Sequence, residues 1–427
     1  MIALVMPILL IENPYIGFSF STLGLIVLWH VIISVKRNYY SLGNLLLTTF
    51  FFHFFLLAPI IQLSSNPDSL INTVPVKLSN VIFMNFMLCI FWCVYSFKVL
   101  PLIKRNSDIN SIKERYINPR NNFKIRLLLI LMILLFLRSF LLDIYSRIDV
   151  FLIEPTEKLD GIEGLLRNKV LKVIPLFILG TIMLSKMGNK ALWLVISVIF
   201  LIIAKNPITE HRNAFGSAYL LIFLVSFRKH NLKLWWQYAI AIISFPLMFS
   251  LGVYLNPKRF KEDSFLEEVM SSYNTVHFDA WANYAAGFDY IKSEGFYYGS
   301  QILSAILFWI PRSIWEGKGV GTGQDLGDYL MAQHNGWFNN ISSPLPLEGY
   351  VDFGFIGVVF YGFMTGVFIK YIDRLLRKDS IHYLLGLYLA ANIMFLFRGP
   401  LLSSLAFTIG GVIAWLIVKI FLKLNIK

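Results

Sequence analysis

Apolar residues run along this chain in long unbroken blocks, and most blocks end at short polar stretches containing Lys, Arg, Pro or Gly. The blocks fall near residues 15–35, 42–63, 78–101, 125–145, 170–187, 191–205, 213–228, 235–256, 347–370, 381–397 and 400–423. The hydrocarbon core of a bilayer takes roughly 20 residues of helix to cross, which most of these blocks supply. Without water, the backbone must satisfy its own N–H and C=O groups, so helix is the spanning element this pattern predicts. The expected fold is all-α, a polytopic transmembrane protein with about eleven spans.

One connection breaks the rhythm. Residues 257–346 separate a first part, 1–256 with eight spans, from a last part, 347–427 with three. Connections longer than about 15 residues are usually functional or disordered. Disordered chain is poor in aromatics, whereas this stretch holds Tyr273, Phe278, Trp281, Tyr284, Phe288, Tyr290, Phe296, Tyr297 and Tyr298. A folded cap containing short helices, lying against the membrane or a sugar, is the expectation. Within it, Ser300–Ile310 is apolar, closed by Pro311 and too short to cross, which suits an interfacial or re-entrant helix. Trp309 and Trp315 would then sit at headgroup level.

Composition agrees with the pattern. Hydrophobic residues make up 57% of the 427 and charged residues 15%, against about 25% charged in ordinary soluble domains. The net charge of +13 is carried largely by loops beside the spans. Lys36 and Arg37 form one group, and the basic loop 102–124 another, with Lys104, Arg105, Lys113, Arg115, Arg120 and Lys124. Lys186 and Lys190, Arg228, Lys229 and Lys233, Arg374, Arg377 and Lys378, and finally Lys423 and Lys427 continue the series. By the positive-inside rule these loops are cytoplasmic. The charge therefore reports topology, and no nucleic-acid partner is expected. The N-terminus falls outside, the C-terminus inside, and the long connection on the outer face. An extra span at residues 1–11 would move only the N-terminus. Cys89 and Cys93, four apart within one apolar block, read as small apolar fillers.

Charges at membrane depth are costly, and functional hypotheses begin with them. Arg138, with Asp143 five residues on, lies towards an outer span end; Arg212 opens a span after Lys205, Glu210 and His211. Arg312 and Lys318 follow the short apolar stretch in the long connection, and Arg398 precedes Gly399 and Pro400. Snorkelling towards headgroups accounts for any one of these cations. Their convergence beside an aromatic segment predicts an anion site, because guanidinium groups bind phosphate oxygens in pairs.

Among the outer acids, Glu348 stands apart at the start of a predicted span, inside Pro344-Leu-Pro-Leu-Glu-Gly-Tyr350. A carboxylate in apolar surroundings holds protons more tightly and can act as a general base. Capping the following helix N-terminus is an equally good account of it. His277 and His334 are alternative bases. No His and carboxylate cluster has metal-ligand spacing, so neither a catalytic metal nor another cofactor is expected. Gly317, Gly319, Gly321, Gly323 and Gly327 lack the Lys-Ser/Thr ending of a phosphate-binding P-loop and suit a flexible hinge.

The stretch Ile310-Pro311-Arg312-Ser313-Ile314-Trp315-Glu316-Gly317-Lys318 resembles the Pro-Arg-Ser-x-Trp-x-x-Lys signature of the Wzy-type oligosaccharide repeat-unit polymerases. Glu348-Gly349-Tyr350, followed by Phe353-Gly354 and Gly357, resembles their Glu-x-Tyr-x-x-Phe-Gly-x-x-Gly pattern, with Leu347 where the family more often has Gly. His277-Phe278-Asp279, Tyr298-Gly299, Arg212-Asn213 and Arg398-Gly399 are similar too, as is Gly323 with ten residues between it and Arg312. The matches cover about residues 205–400.

The resemblance implies a GT-C-like glycosyltransferase in a bacterial inner membrane. Its substrate would be undecaprenyl-diphosphate-linked oligosaccharide, joined on the periplasmic side into O-antigen, capsule or a similar polymer. Arg212, Arg312 and Arg398 would hold the diphosphate, assisted by Lys318, with Glu348 as the first candidate for the base and Asp279 the second. A chain-length regulator is an implied partner. An O-antigen ligase shares this architecture. A lipid-linked oligosaccharide flippase is a further alternative, which the apolar middles of most spans disfavour.

Overall fold

A computed structural model describes residues 7–37, 39–66, 77–100, 121–149, 162–206, 212–226, 232–254, 265–336, 339–378 and 380–424. At residues 143, 146–149, 162–163, 212–215, 248–254, 265–266 and 268 it describes the backbone without the side chains. The basic loop 102–124 therefore lies outside the described residues as far as residue 120, as do residues 1–6, the acidic stretch 154–160 and the start of the long connection at 257–264. The Arg212 side chain falls outside them too.

The described residues are all-helical, with no strand. The first three helices are α1 (Pro14–Lys36), α2 (Leu42–Ser65) and α3 (Leu78–Val99). The next is α4 (Asn122–Asp149). A compound helix, α5, runs over 162–183, followed by α6 (Lys190–Ala204), α7 (Arg212–Ser226) and α8 (Leu234–Tyr254). The long connection contributes α9 (Phe265–Ser272), α10 (Ala280–Glu294), α11 (Ser300–Ile306) and α12 (Thr322–His334). The chain ends with α13 (Leu345–Leu376), α14 (Ser380–Arg398) and α15 (Leu401–Lys423).

Seven helices, α1 to α4 and α13 to α15, are long and apolar enough to cross a membrane by length and composition. The other four expected spans fall on α5 to α8, of which α6, α7 and α8 carry shorter apolar stretches. Every block of the hydropathy pattern is thus helical, and the chain is a multi-pass membrane protein.

Local signals start the helices. Asn13 caps α1, its side chain accepting from Tyr15 N at 3.0 Å, and Pro14 occupies the first turn, where its missing N–H costs nothing. Ser41 caps α2 by accepting from Asn44 N at 3.1 Å. Further along α2, residues Phe52–Leu57 form a π-helical turn just before Pro59. Proline cannot donate to the helical ladder, and a π turn is one way to absorb the defect.

Spans α1, α2 and α3 are less apolar inside than the hydropathy pattern suggested. His30, Asn44 and Ser96 are wholly buried and joined, His30 Nδ1 lying 2.7 Å from Ser96 Oγ and Nε2 lying 2.8 Å from Asn44 Oδ1. Asn44 Nδ2 donates to Tyr238 on α8, and Tyr95 donates to Asn44 Oδ1. Because Nε2 faces an amide oxygen, it carries the proton, and Nδ1 accepts from Ser96. The network closes on itself, so it knits helices together at membrane depth.

The long connection is not a cap resting on the membrane. Tyr273, Phe278, Trp281 and Tyr284 are each at most 1% exposed and form part of the main core. Helix α10 is buried over most of its surface, with Ala280, Ala282, Ala285, Ala286 and Gly287 allowing close approach on several sides. Trp281 Nε1 donates to Asn85 of α3 at 3.0 Å. Tyr273 OH lies 2.8 Å from Nδ1 of His53 in the π turn, while His53 Nε2 lies 3.0 Å from the Ile242 carbonyl. Gln62 donates to the carbonyls of Tyr273 and Phe278. The stretch from Tyr273 to Gly287 is a plug sunk among the spans, whereas Phe296 and Tyr298 farther along the connection stay exposed.

Candidate functional site

Carboxylates fasten the plug to the spans, and two of them are the acids singled out from the sequence. Asp279 closes the short 3-10 turn before α10 and is 1% exposed. Its Oδ1 lies 3.0 Å from Arg398 Nη2, and that same nitrogen donates to the Val276 carbonyl at 3.0 Å. Its Oδ2 accepts from Asn283 Nδ2 at 2.9 Å and from Ser342 N at 3.4 Å. Asn283 also donates to the carbonyl and the hydroxyl oxygen of Ser342, so α10, the non-helical stretch before α13 and the end of α14 meet at one carboxylate.

Glu348 lies in the first turn of α13 and is likewise 1% exposed. Thr322 Oγ1, at the start of α12, donates to Oε2 at 2.7 Å, and Leu401 N donates to Oε1 at 3.0 Å. Leu401 is the first residue of α15, so Glu348 caps the N-terminus of a helix other than its own, where a negative charge is favoured. Nearby, Asp352 caps α11 by accepting from Gln301 N and Ile302 N.

Asp279 and Glu348 are thereby brought to one joint, Arg398-Gly399-Pro400-Leu401, from its two ends. Gly323 is the reason the joint packs so tightly. A Cβ there would meet the Ile341 carbonyl and lie 2.6 Å from Pro400 Cγ. Gly321, two residues earlier, has φ of +109°, a region that favours glycine. These glycines are packing and backbone requirements more than a hinge.

Arg312 and Lys318 belong to a second cluster. Arg312 is exposed and donates to the Gly319 carbonyl at 3.1 Å. Lys318, 9% exposed, turns back to donate to the carbonyls of Phe308 and Ile310 at 2.7 and 2.8 Å. It thus tightens the hairpin that follows α11. Burial and then the nearby Arg312 charge hold the Lys318 ammonium below its ordinary pKa.

The Lys169 ammonium of α5 sits 4.8 Å from the centre of the Phe407 ring of α15. A small cavity lies along the same helices, walled by Lys205, Asn392, Phe395 and Phe407 among others.

Helix α12 links the two clusters. Thr322 at its start binds Glu348, and Asp325 one turn on feels the Arg312 charge. Asp325 is half-buried and accepts from Gln301 Nε2 at 2.9 Å. Burial raises its pKa against the hydrogen bonds from Gln301 and Tyr297. Tyr290 and Tyr297 stack beside it with their hydroxyls hydrogen-bonded.

The sequence-derived residues are therefore split. Arg398 pairs with Asp279, and Glu348 meets the same joint at Leu401; Arg312 and Lys318 lie on the hairpin after α11; Arg138 is exposed on α4. His334 ends α12 with its ring edge-on to Tyr329. Lys169, Asn283, Thr322 and Ser342 were missed. Lys169 carried a signal, since it pairs with Lys172 at a helical spacing just before an apolar block. Asn283, Thr322 and Ser342 carried none, because neutral polar residues are common in any connection.

Among the described residues no group of three or more His, Cys, Asp or Glu is placed to hold a metal ion. No protein-family model matches this chain, and no curated protein or solved structure matches it.

Proposed function

We propose that this protein is a membrane glycosyltransferase that polymerises undecaprenyl-diphosphate-linked oligosaccharide repeat units into O-antigen or a similar surface polysaccharide. It would act on the periplasmic face of a bacterial inner membrane, with about eleven spans in a GT-C-like arrangement and a chain-length regulator as a partner. The observation that carries this reading is the joint at residues 398–401. It gathers Arg398, Asp279 and Glu348, three residues of the motifs that suggested the family, from distant parts of the sequence.

The chemistry asked of such a site is a displacement at an anomeric carbon. An acceptor hydroxyl oxygen bonds to that carbon while the bond to the lipid diphosphate breaks, the leaving diphosphate keeping the electron pair. The hydroxyl proton passes to a carboxylate, and cations stabilise the charge gathering on the departing phosphates.

Each Glu348 oxygen already accepts one bond and keeps a lone pair for another, so the group can serve as that base where an acceptor hydroxyl reaches it beside Thr322 and Leu401 N. Asp279 is held by Arg398, so the pair acts as a unit. Arg312 and Lys318 are the members of the proposed phosphate-binding set whose charge no carboxylate within 4.0 Å neutralises among the described residues.

The glycan pattern of a deletion strain tests the reading. Loss of the polymerase leaves single repeat units on the lipid A core, whereas loss of a ligase leaves bare core. Long-chain polymer persisting unchanged would rule the proposal out. At the level of residues, Glu348→Gln and Arg312→Ala are expected to abolish polymer with the protein still present in the membrane. Normal chain lengths in both would remove these residues from the mechanism.

A further inference from the structure

Towards the end of α13 away from the joint, Lys370 carries an ammonium group that the fold leaves without a partner. Its Nζ is buried and makes no hydrogen bond among the described residues. At about 1.5 Å per residue, Lys370 lies roughly 30 Å along α13 from Glu348. Lys98 of α3 reaches the same face. Gly362 and Gly366 bring α3 so close to α13 that a Cβ at Gly366 would lie 2.7 Å from both Cβ and Cγ of Lys98. From there the Lys98 chain runs to Phe363, its Nζ 4.2 Å from the ring centre. Phe363, Gly366 and Lys370 are spaced three and four apart, which sets them in one row on α13. A long helical side chain leans back over the turn before it, so Lys370 extends towards the level of Gly366, where Lys98 crosses. Arg374, exposed one turn further on, ends the row.

Among the described residues, no carboxylate pairs with Lys98, Lys370 or Arg374 within 4.0 Å. Asp373, the nearest acid along α13, accepts instead from the hydroxyls of Tyr39 and Ser41, at 2.7 and 2.8 Å. Snorkelling explains a lysine whose head reaches water. It does not explain Lys370, whose head is buried, or Lys98, whose head turns back along α13 onto an aromatic ring. A buried ammonium with no acceptor is unfavourable, and an anion from outside the chain relieves it.

The surroundings select the kind of anion. Phe97 of α3 is 79% exposed, and Phe363 and Val367 of α13 are each 39% exposed. On membrane spans such side chains meet lipid tails. A phospholipid with its phosphate at the two ammonium groups and an acyl chain along these residues satisfies both halves of the seam, whereas free phosphate leaves the apolar half unused. A headgroup carrying its own ammonium adds a cation where no acid is placed to meet it, so the net charge of the headgroup should be negative. Basic pockets between transmembrane helices take such headgroups.

We infer that Lys98, Lys370 and Arg374 bind the phosphate of one phospholipid with a net negative headgroup, seated in the seam between α3 and α13. It belongs to the leaflet that the charge pattern assigns to the cytoplasm. The site shares no residue with the joint at 398–401 and does not depend on the polymerase reading. Its occupant bridges α3, whose Asn85 holds Trp281, and α13, which carries Glu348.

The test is native mass spectrometry of the intact protein in detergent, with phosphatidylglycerol, phosphatidylethanolamine and inorganic phosphate each added as a probe. The wild-type chain is expected to retain phosphatidylglycerol in preference to the other two. Lys370→Gln and Lys98→Gln should each lower that retention by about tenfold, the loss of one charge-assisted contact. Lys370→Arg should keep most of it. Lys370 Nζ makes no hydrogen bond, so Lys370→Gln removes none from the fold. Lys423→Gln, at an exposed lysine ending α15, is the control and should leave retention unchanged.

Unchanged retention in Lys370→Gln or in Lys98→Gln would overturn the assignment. So would equal retention of phosphatidylglycerol and phosphatidylethanolamine, or an equal loss in Lys423→Gln, which describes bulk attraction to acidic lipid. Retention of inorganic phosphate in place of the lipid would overturn the choice of occupant.

Discussion

Arg398 and Asp279, 119 residues apart in sequence, meet at 3.0 Å with the carboxylate almost sealed from solvent at 2% side-chain exposure. This pair ties the end of α14 to the start of α10, a helix buried over most of its length. Removing one partner strands the other in a place with little water. Asp279→Asn and Arg398→Ala are each expected to lower stability by about 3–5 kcal/mol. Thermal unfolding in detergent measures this, and the double variant should lose clearly less than the sum of the two. Additive losses would show that the two side chains act separately.

Glu348 and Thr322 give a prediction that separates structure from chemistry. Thr322→Val removes the 2.7 Å hydrogen bond and leaves a buried carboxylate oxygen unsatisfied, a loss of about 1–3 kcal/mol. Glu348→Gln keeps an oxygen able to accept from Leu401 N and should unfold close to the wild-type temperature. Polymer loss in Glu348→Gln with stability retained supports a proton-transfer role. Polymer retained in Glu348→Gln but lost on Glu348→Ala assigns the residue to capping α15.

The sharp bend in α13 depends on glycine. Phe353 and Gly354 leave the helical conformation, Gly354 with φ of +59°, and the backbones of Gly349 and Gly357 touch across the bend. A Cβ at Gly357 would fall on the Gly349 carbonyl, which is backbone and cannot swing away. Gly357→Ala is therefore expected to reduce the amount of folded protein in the membrane severely. Gly188→Ala, where nothing lies within 4 Å, is the matched control and should be tolerated.

Asp289 and Lys77 brace α10 against the start of α3 at 2.9 Å. Burial alone would raise the Asp289 pKa. The hydrogen bonds from Lys77 and Asn80 and the charges of Lys77 and Lys292 outweigh it and bring the pKa below the ordinary 3.8. A folded pKa below the unfolded one gives stability that is present above pH 3.8 and disappears as the pH falls through the folded value. Lys77 is 55% exposed, so screening limits the contribution to under about 1 kcal/mol. Comparing wild type with Asp289→Asn by thermal unfolding at neutral pH and near pH 3 should show a small gap that narrows in acid.

Hydropathy determined the class of this protein and the positions of its helices, because the bilayer's demand for continuous apolar helix is local and leaves a readable block wherever it acts. Among the residues the motifs marked, Glu348 and Arg398 meet the joint at 398–401, while Arg312 lies on the hairpin after α11. What those residues touch was decided by tertiary structure. Tyr273, Phe278, Trp281 and Tyr284 read as an aromatic surface, yet they fill the core, since apolar side chains look alike in sequence whether they meet a sugar, a lipid or each other. Arg398 is paired with Asp279, and Glu348 caps α15 instead of its own helix. Each outcome depends on contacts between segments far apart in the chain, and no pattern within one segment records which distant partner it will meet.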